Sequence, residues 1–144
     1  MPTRNASAVW EGGLKAGKGS IKGDSGAVNA PFSFGTRFEN APGTNPEELL
    51  GAAHAGCFSM ALAVGLESAG KTATKVETKA AVTIEKVGEA FTITSIKLTC
   101  RANVPGIDKE QFNKIAQATK QGCPVSKALA AVPKIELEDR KSVV

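Results

Sequence analysis

Two cysteines far apart in the chain carry most of its reactive potential. Cys57 lies inside TNPEELLGAAHAGCFSMALAVGLESAG, and Cys123 opens CPVSKAL. A thiolate is a nucleophile, and two thiols brought together can form and break a disulfide. Cys57 sits in the middle of an apolar run, where a free cysteine packs as a small hydrophobe, so packing accounts for it as readily as chemistry does. No helix N-terminus is at hand there to lower its pKa, and a reactive Cys57 needs a cation supplied from elsewhere. Cys123 stands directly before Pro124, at the cap of a short predicted helix with Lys127 one turn on. Unpaired N–H groups and the positive end of the helix dipole favour a thiolate at such a place. The competing reading is a plain cap, although Cys is not among the preferred cap residues. Cys100 alternates with Ile96, Leu98 and Ala102 on a presumed core face, and packing explains it.

Three further side chains could take part. Glu47 falls in the first turn of the predicted helix, where an acid complements the dipole whatever else it does. Arg37, in TRFEN, reads equally well as a surface residue of a strand. His54 precedes Cys57 by one helical turn, but a His-x-x-Cys pair without a further Cys/His cluster is too few ligands for zinc. No metal site is expected.

The elements that must position these residues follow from periodicity. Asn45 as cap, Pro46 in the first turn and Glu48 three residues after Asn45 start a long helix that Gly70 stops. From Leu49 to Leu66 this helix carries no charged side chain apart from His54 when protonated. A helix apolar on every side should be buried on every side. Before it, Ala6–Trp10, Ser20–Lys22 and Phe32–Phe38 read as short strands between Gly-rich turns. After it the period becomes two: Val76, Ala80, Val82 and Ile84 share one face, and a hairpin turn at Gly88 leads into a return strand. That strand changes phase between Ile93 and Ile96, which predicts a bulge near Thr94 and Ser95. Asp108 caps an amphipathic helix bearing Phe112, Ile115, Ala116 and Thr119, which Gly122 stops. Cys123-Pro124 opens a short helix through Ala131, and residues 134–139 alternate as a last strand. This is one α+β domain over residues 1–144.

Composition narrows the function classes. A chain of 144 residues with 42% hydrophobic side chains can bury a sizeable core. The net charge of +4 is dispersed, and 6 Phe, 1 Trp and no Tyr offer little for bases to stack on, which argues against nucleic acid. Residues 49–66 reach membrane-spanning length, but they are small and only mildly hydrophobic, and no basic cluster flanks them. The first residues lack the apolar run of a signal peptide, and three cysteines do not make a disulfide scaffold. The expected compartment is a reducing cytoplasm.

Taken together, PGTNPEELLGAAHAGCFSMAL and CPVSKAL resemble the OsmC/Ohr family of thiol-dependent organic hydroperoxide reductases, and CPVSKAL is closer to the OsmC branch. The similarity extends over nearly the whole chain. It implies an OsmC-like fold of curved antiparallel sheets packed on long buried helices, in an intertwined homodimer with two sites at the interface. It also implies roles. Cys57 matches the peroxide-attacking cysteine, Cys123 the resolving cysteine, Glu47 the glutamate of the NPEE segment, and Arg37 the arginine that contacts the reactive thiolate.

The implied reaction is reduction of an organic hydroperoxide to an alcohol, with Cys57 oxidised to a sulfenic acid that Cys123 condenses with. An external dithiol, of lipoyl type for instance, then reduces the disulfide. No metal, haem, flavin or other cofactor is required. Two other readings remain: a redox-sensing or small-molecule-binding dimer without turnover, and a structural dimer in which Cys57 is packing. One further expectation comes from helix arithmetic. Positions 47 and 57 of one helix lie about 15 Å apart along its axis. Glu47 and an arginine paired with it are therefore expected to serve Cys57 of the other chain.

Overall fold

A computed structural model describes residues 1–140. The chain divides into two compact units, one of Met1–Leu49 and one that begins at Leu50.

In the first unit, β1 (Ala6–Glu11), β2 (Lys18–Gly23) and β3 (Asn29–Phe32) form an antiparallel sheet in that order. Gly19 is obligatory in β2, because a Cβ there would collide with the Val9 carbonyl and the Phe32 ring. The strand expected over 32–38 ends at Phe32. Ser33 instead caps a five-residue helix, α1 (Phe34–Phe38). The Ser33 hydroxyl accepts the Thr36 N–H at 3.2 Å, and the Thr36 hydroxyl accepts the Ser33 N–H at 2.8 Å. This reciprocal cap outweighs the β-propensity of three phenylalanines.

The long helix, α2, runs from Pro46 to Ser68. Asn45 caps it as expected, its Oδ1 accepting the Glu48 N–H at 2.7 Å. The Glu48 carboxylate does not close a capping box; it accepts the Thr44 hydroxyl at 2.6 Å. Gly70, at φ +75°, ends the helix in a Schellman arrangement: its N–H donates to Glu67 O, and the Lys71 N–H donates to Leu66 O.

In the second unit, β4 (Lys75–Val87) and β5 (Ala90–Asn103) form a long antiparallel hairpin. Its register shifts between Thr83 and Ile84, so Thr94 is the extra residue of a bulge at the expected place. Then follow α3 (Lys109–Gly122), α4 (Pro124–Ala128) and β6 (Lys134–Asp139). β6 pairs with β5 in parallel, so the sheets are not antiparallel throughout. The two intervening helices supply the crossover that a parallel pair requires. Gly122 is the last residue of α3 and does not adopt positive φ. The stop comes from Cys123, held extended at φ −65°, ψ 140° because Pro124 follows it.

The core joins Phe58, Leu62 and Leu66 of α2 to Ile96, Leu98, Cys100 and Ala102 of β5 and to Phe112 and Ala116 of α3. Gly65 lets α2 approach α3, since a Cβ there would lie 2.9 Å from Ile115. Burial on every side of α2 does not occur in the single chain. Ala52, Ala53, Gly56, Met60 and Val64 form an exposed stripe, with Met60 at 76% and Val64 at 62%.

Candidate active site

The sequence-derived residues fall into two groups, one in each unit. In the first unit, Arg37 leaves the last turn of α1 and meets Glu47 in the first turn of α2. Arg37 Nη2 donates to Glu47 Oε1 at 2.7 Å, and Nε donates to the two carboxylate oxygens at 3.1 and 3.2 Å. This forked geometry fixes the guanidinium plane as a single-point lysine contact would not. Glu47 is buried, its side chain 7% exposed, whereas that of Arg37 is 37% exposed. The carboxylate therefore serves as a fixed anchor, and one edge of the guanidinium stays available. Phe38 lies under the cation, 5.4 Å from ring centroid to Cζ. Beside Arg37, Trp10, Leu14, Phe32, Phe34 and Phe38 line a groove of about 260 Å³. Arg37 thus belongs to a helix and an apolar cleft, not to a surface strand.

In the second unit, the fold makes Cys57 and Cys123 neighbours, close enough for the Cys123 thiol to act on that of Cys57. Burial pushes the Cys57 thiol above the ordinary range. A hydrogen bond from the Val125 backbone N–H opposes this, and the neighbouring Cys123 thiol adds to the rise. Mid-helix placement left Cys57 without N–H groups of its own helix, and α4 supplies one. Within this unit, none of the described groups that shift Cys57 is a cation. Cys123 is 1% exposed and caps both helices it joins. Its Sγ accepts the Ser126 N–H at 3.3 Å, and its S–H donates to Ser126 Oγ at 3.0 Å.

Ser126 carries a further contact that sequence reasoning missed: its Oγ lies 2.6 Å from His54 Nε2. His54 is wholly buried, and desolvation lowers its pKa, which keeps the imidazole neutral. The Cys-x-x-Ser spacing signals a cap with a hydroxyl one turn on. No local pattern points from there to a histidine 72 positions earlier. Among the described residues no group of three or more His, Cys, Asp or Glu converges as a metal site would require.

Residues 38–138 match the family model described as OsmC-like protein. The chain belongs to the OsmC family. Over 129 residues it is 51% identical to peroxiredoxin OsmC of Escherichia coli strain K12, spanning 89% of this chain and 90% of that one. The crystal structure of the organic hydroperoxide resistance protein OhrB of Bacillus subtilis superimposes with a TM-score of 0.73 at 26% identity, covering 94% of this chain and 98% of that one. An organic hydroperoxide resistance protein from Elizabethkingia anophelis gives a TM-score of 0.74, also at 26% identity, covering 100% and 98%. The α+β fold with two small sheets is therefore the OsmC fold. The OsmC-family match takes in Phe38, Glu47, Cys57 and Cys123, whereas Arg37 stands just before its first residue.

Proposed function

We propose that this chain is a thiol-dependent peroxidase that reduces organic hydroperoxides to alcohols, with Cys57 as nucleophile and Cys123 as resolving thiol. The observation that carries the reading is the proximity of these two thiols, which only the fold brings together. The names of the relatives, a peroxiredoxin and organic hydroperoxide resistance proteins, agree with it.

The Cys57 thiolate attacks one peroxide oxygen, the O–O bond breaks, and the alkoxide takes a proton and leaves as alcohol. Cys57 is then a sulfenic acid. The sulfur of Cys123 attacks the sulfenic sulfur, forming the disulfide and releasing water. An external dithiol returns both thiols by exchange and is itself oxidised to a disulfide. The apolar groove beside Arg37 suits the hydrocarbon part of the substrate, and each CH₂ it buries adds roughly 0.8 kcal/mol. On this basis cumene and tert-butyl hydroperoxide exceed hydrogen peroxide in kcat/KM.

The working unit in this proposal is a homodimer. Its support is the exposed stripe of Ala52, Ala53, Gly56, Met60 and Val64, which a second copy of α2 would cover. Gly51 and Gly65 do not belong to this stripe; they pack inside the chain against Val82 and Ile115. Arg37 and Glu47 of one copy would supply the cation that Cys57 of the other lacks, in keeping with the roughly 15 Å that separates positions 47 and 57 along a helix.

The test is peroxide consumption driven by dihydrolipoamide, with Cys57→Ser as control. Turnover that depends on Cys57 supports the proposal and excludes the redox-sensing and purely structural readings. Activity that survives Cys57→Ser overturns it. Peptide mapping after mild oxidation adds a second check: the bridge should join Cys57 to Cys123 and leave Cys100 free.

A further inference from the structure

The buried line of hydrogen bonds from Cys123 through Ser126 to His54 has no part in the reaction as described so far. We infer that it is a proton relay: His54, acting through the Ser126 hydroxyl, accepts the proton that Cys123 must lose to close the disulfide. The inference rests on the proposed roles of Cys57 and Cys123.

The directions of the bonds support it. The Cys123 S–H donates to Ser126 Oγ at 3.0 Å, which leaves the serine's own proton free to point at His54 Nε2, 2.6 Å away. In that arrangement Nε2 is the unprotonated nitrogen and Nδ1 carries the hydrogen. His54 Nδ1 is buried and makes no hydrogen bond among the described residues. A fully buried histidine whose single side-chain hydrogen-bond partner among the described residues is the hydroxyl next to a reactive sulfur is poorly explained by packing, because an unmatched buried polar atom costs stability. Burial also keeps His54 neutral, so Nε2 holds an open lone pair before the step.

During closure the Cys123 sulfur forms the S–S bond as the S–O bond of the sulfenic acid breaks. The Cys123 proton passes to Ser126 Oγ while the serine proton passes to Nε2. The departing hydroxide leaves as water by taking one proton, and the imidazolium gives up one, to that hydroxide directly or through solvent, so His54 is neutral again. The unpartnered Nδ1 disfavours a lasting imidazolium, so the proton stays only for the step. His54 touches neither sulfur and is a positioning residue; Ser126 is the group in contact with the reacting thiol.

The experiment separates closure from peroxide chemistry. In a Cys100→Ala background, Cys57 is treated with 5,5′-dithiobis(2-nitrobenzoate), and two rates are followed: attack of Cys57 on the reagent, and release of the second coloured thiolate as Cys123 closes the bridge. His54→Gln retains a hydrogen bond to Ser126 but takes up no proton, and Ser126→Ala breaks the line. Both should slow closure by about tenfold or more, as loss of a general base does, and leave the first rate within about twofold. Ser126→Thr should restore closure, and the double variant should be no slower than the single ones. Unchanged closure in either single variant, or equal slowing of both rates, overturns the relay. If His54→Gln does not fold, Ser126→Ala against Ser126→Thr decides alone. Wild-type protein that closes the bridge here but consumes no hydroperoxide would refute the proposed peroxidase function without touching this result.

Discussion

Cys100 and Cys123 are both buried thiols that touch a hydroxyl, and the structure gives them opposite prospects. Cys100 faces Thr78 across the β4–β5 ladder, and the Thr78 hydroxyl lies 2.7 Å from that of Ser59. Burial pushes this thiol up to about 11, with the Thr78 hydrogen bond opposing the rise and Asp139 adding to it. Cys123 meets Ser126, whose hydroxyl leads to the imidazole of His54. Each thiol therefore begins a line of two further polar groups. The first line ends on a second hydroxyl, which is no better a proton acceptor than the one before it. The second ends on a nitrogen base. Burial alone makes a thiol inert; the relay proposed above would give Cys123 an acceptor for its proton and leave Cys100 without one.

The largest effect tests that contrast directly. Cys57→Ser should reduce peroxide turnover to the uncatalysed background. Cys123→Ser should allow one turnover and leave a sulfenic acid on Cys57 that dimedone traps. Cys100→Ala should keep kcat within about twofold, as expected for a substitution that changes packing alone. Loss of turnover in folded Cys100→Ala would erase the distinction between the two thiols.

Next in size is the cation. The groups of its own unit leave the Cys57 thiol above its usual range, so in the proposed dimer its thiolate fraction at neutral pH rests on the charge of Arg37 from the other copy. Arg37→Ala should raise the Cys57 pKa further and slow peroxide attack by about 10- to 100-fold, the scale of one to two pKa units for a close opposite charge. Iodoacetamide labelling of Cys57 against pH measures this; an unchanged pKa and rate would remove Arg37 from the site. Mixing Cys57→Ser subunits with Arg37→Ala/Glu47→Ala subunits under exchange conditions should restore about half a dimer's activity, one site regaining all its parts. No recovery after verified exchange would place every partner in one chain.

Much of this was legible locally. The Asn45 cap, the Gly70 stop, the bulge at Thr94, the Asp108 cap and the span of β6 are decided by neighbours in sequence, and each appears where the pattern puts it. What escaped depends on longer range or on competition between signals. The capping box at Ser33 prevails over a phenylalanine-rich strand pattern, so Arg37 lies on a helix. The parallel pairing of β6 depends on how two helices carry the chain back. The Ser126–His54 contact joins α4 to α2, and His54, read locally, suggested only a metal. The exposed face of α2 was hidden by its uniform apolarity, since composition does not say which side a single chain covers.

A smaller effect concerns stability. Because the folded state raises the Cys100 pKa from 9.0 to about 11, it holds that proton more tightly than the unfolded chain does. The contribution is complete below the ordinary thiol range and is lost as pH rises through it toward 11. Unfolding free energies of wild type and Cys100→Ala, compared between pH 8 and 11, should converge by about 2 kcal/mol, with shared lysine titration cancelling in the difference. Parallel curves would mean that Cys100 is no more desolvated than an exposed thiol and would collapse the comparison from its other side.

The smallest effect isolates what holds Cys123 in place. Cys100 is fixed by a regular strand ladder, whereas Cys123 sits between two helices, extended because Pro124 follows it and capping α4 with its sulfur. Pro124→Ala removes the restriction on Cys123 without touching Ser126, His54 or Cys57. The unfolded chain gains freedom, and the protein should lose about 0.4–1 kcal/mol. If the proline also keeps the Cys123 sulfur aimed at Cys57, disulfide closure should slow by a similar factor, about two- to fivefold, with the rate of peroxide attack unchanged. Stopped-flow measurement of the two steps, beside a denaturant melt, reads both quantities on one variant. A lower melting midpoint with an unaltered closure rate would show that the cap and the Ser126 hydroxyl hold the sulfur by themselves. The proline would then matter to the helix junction alone.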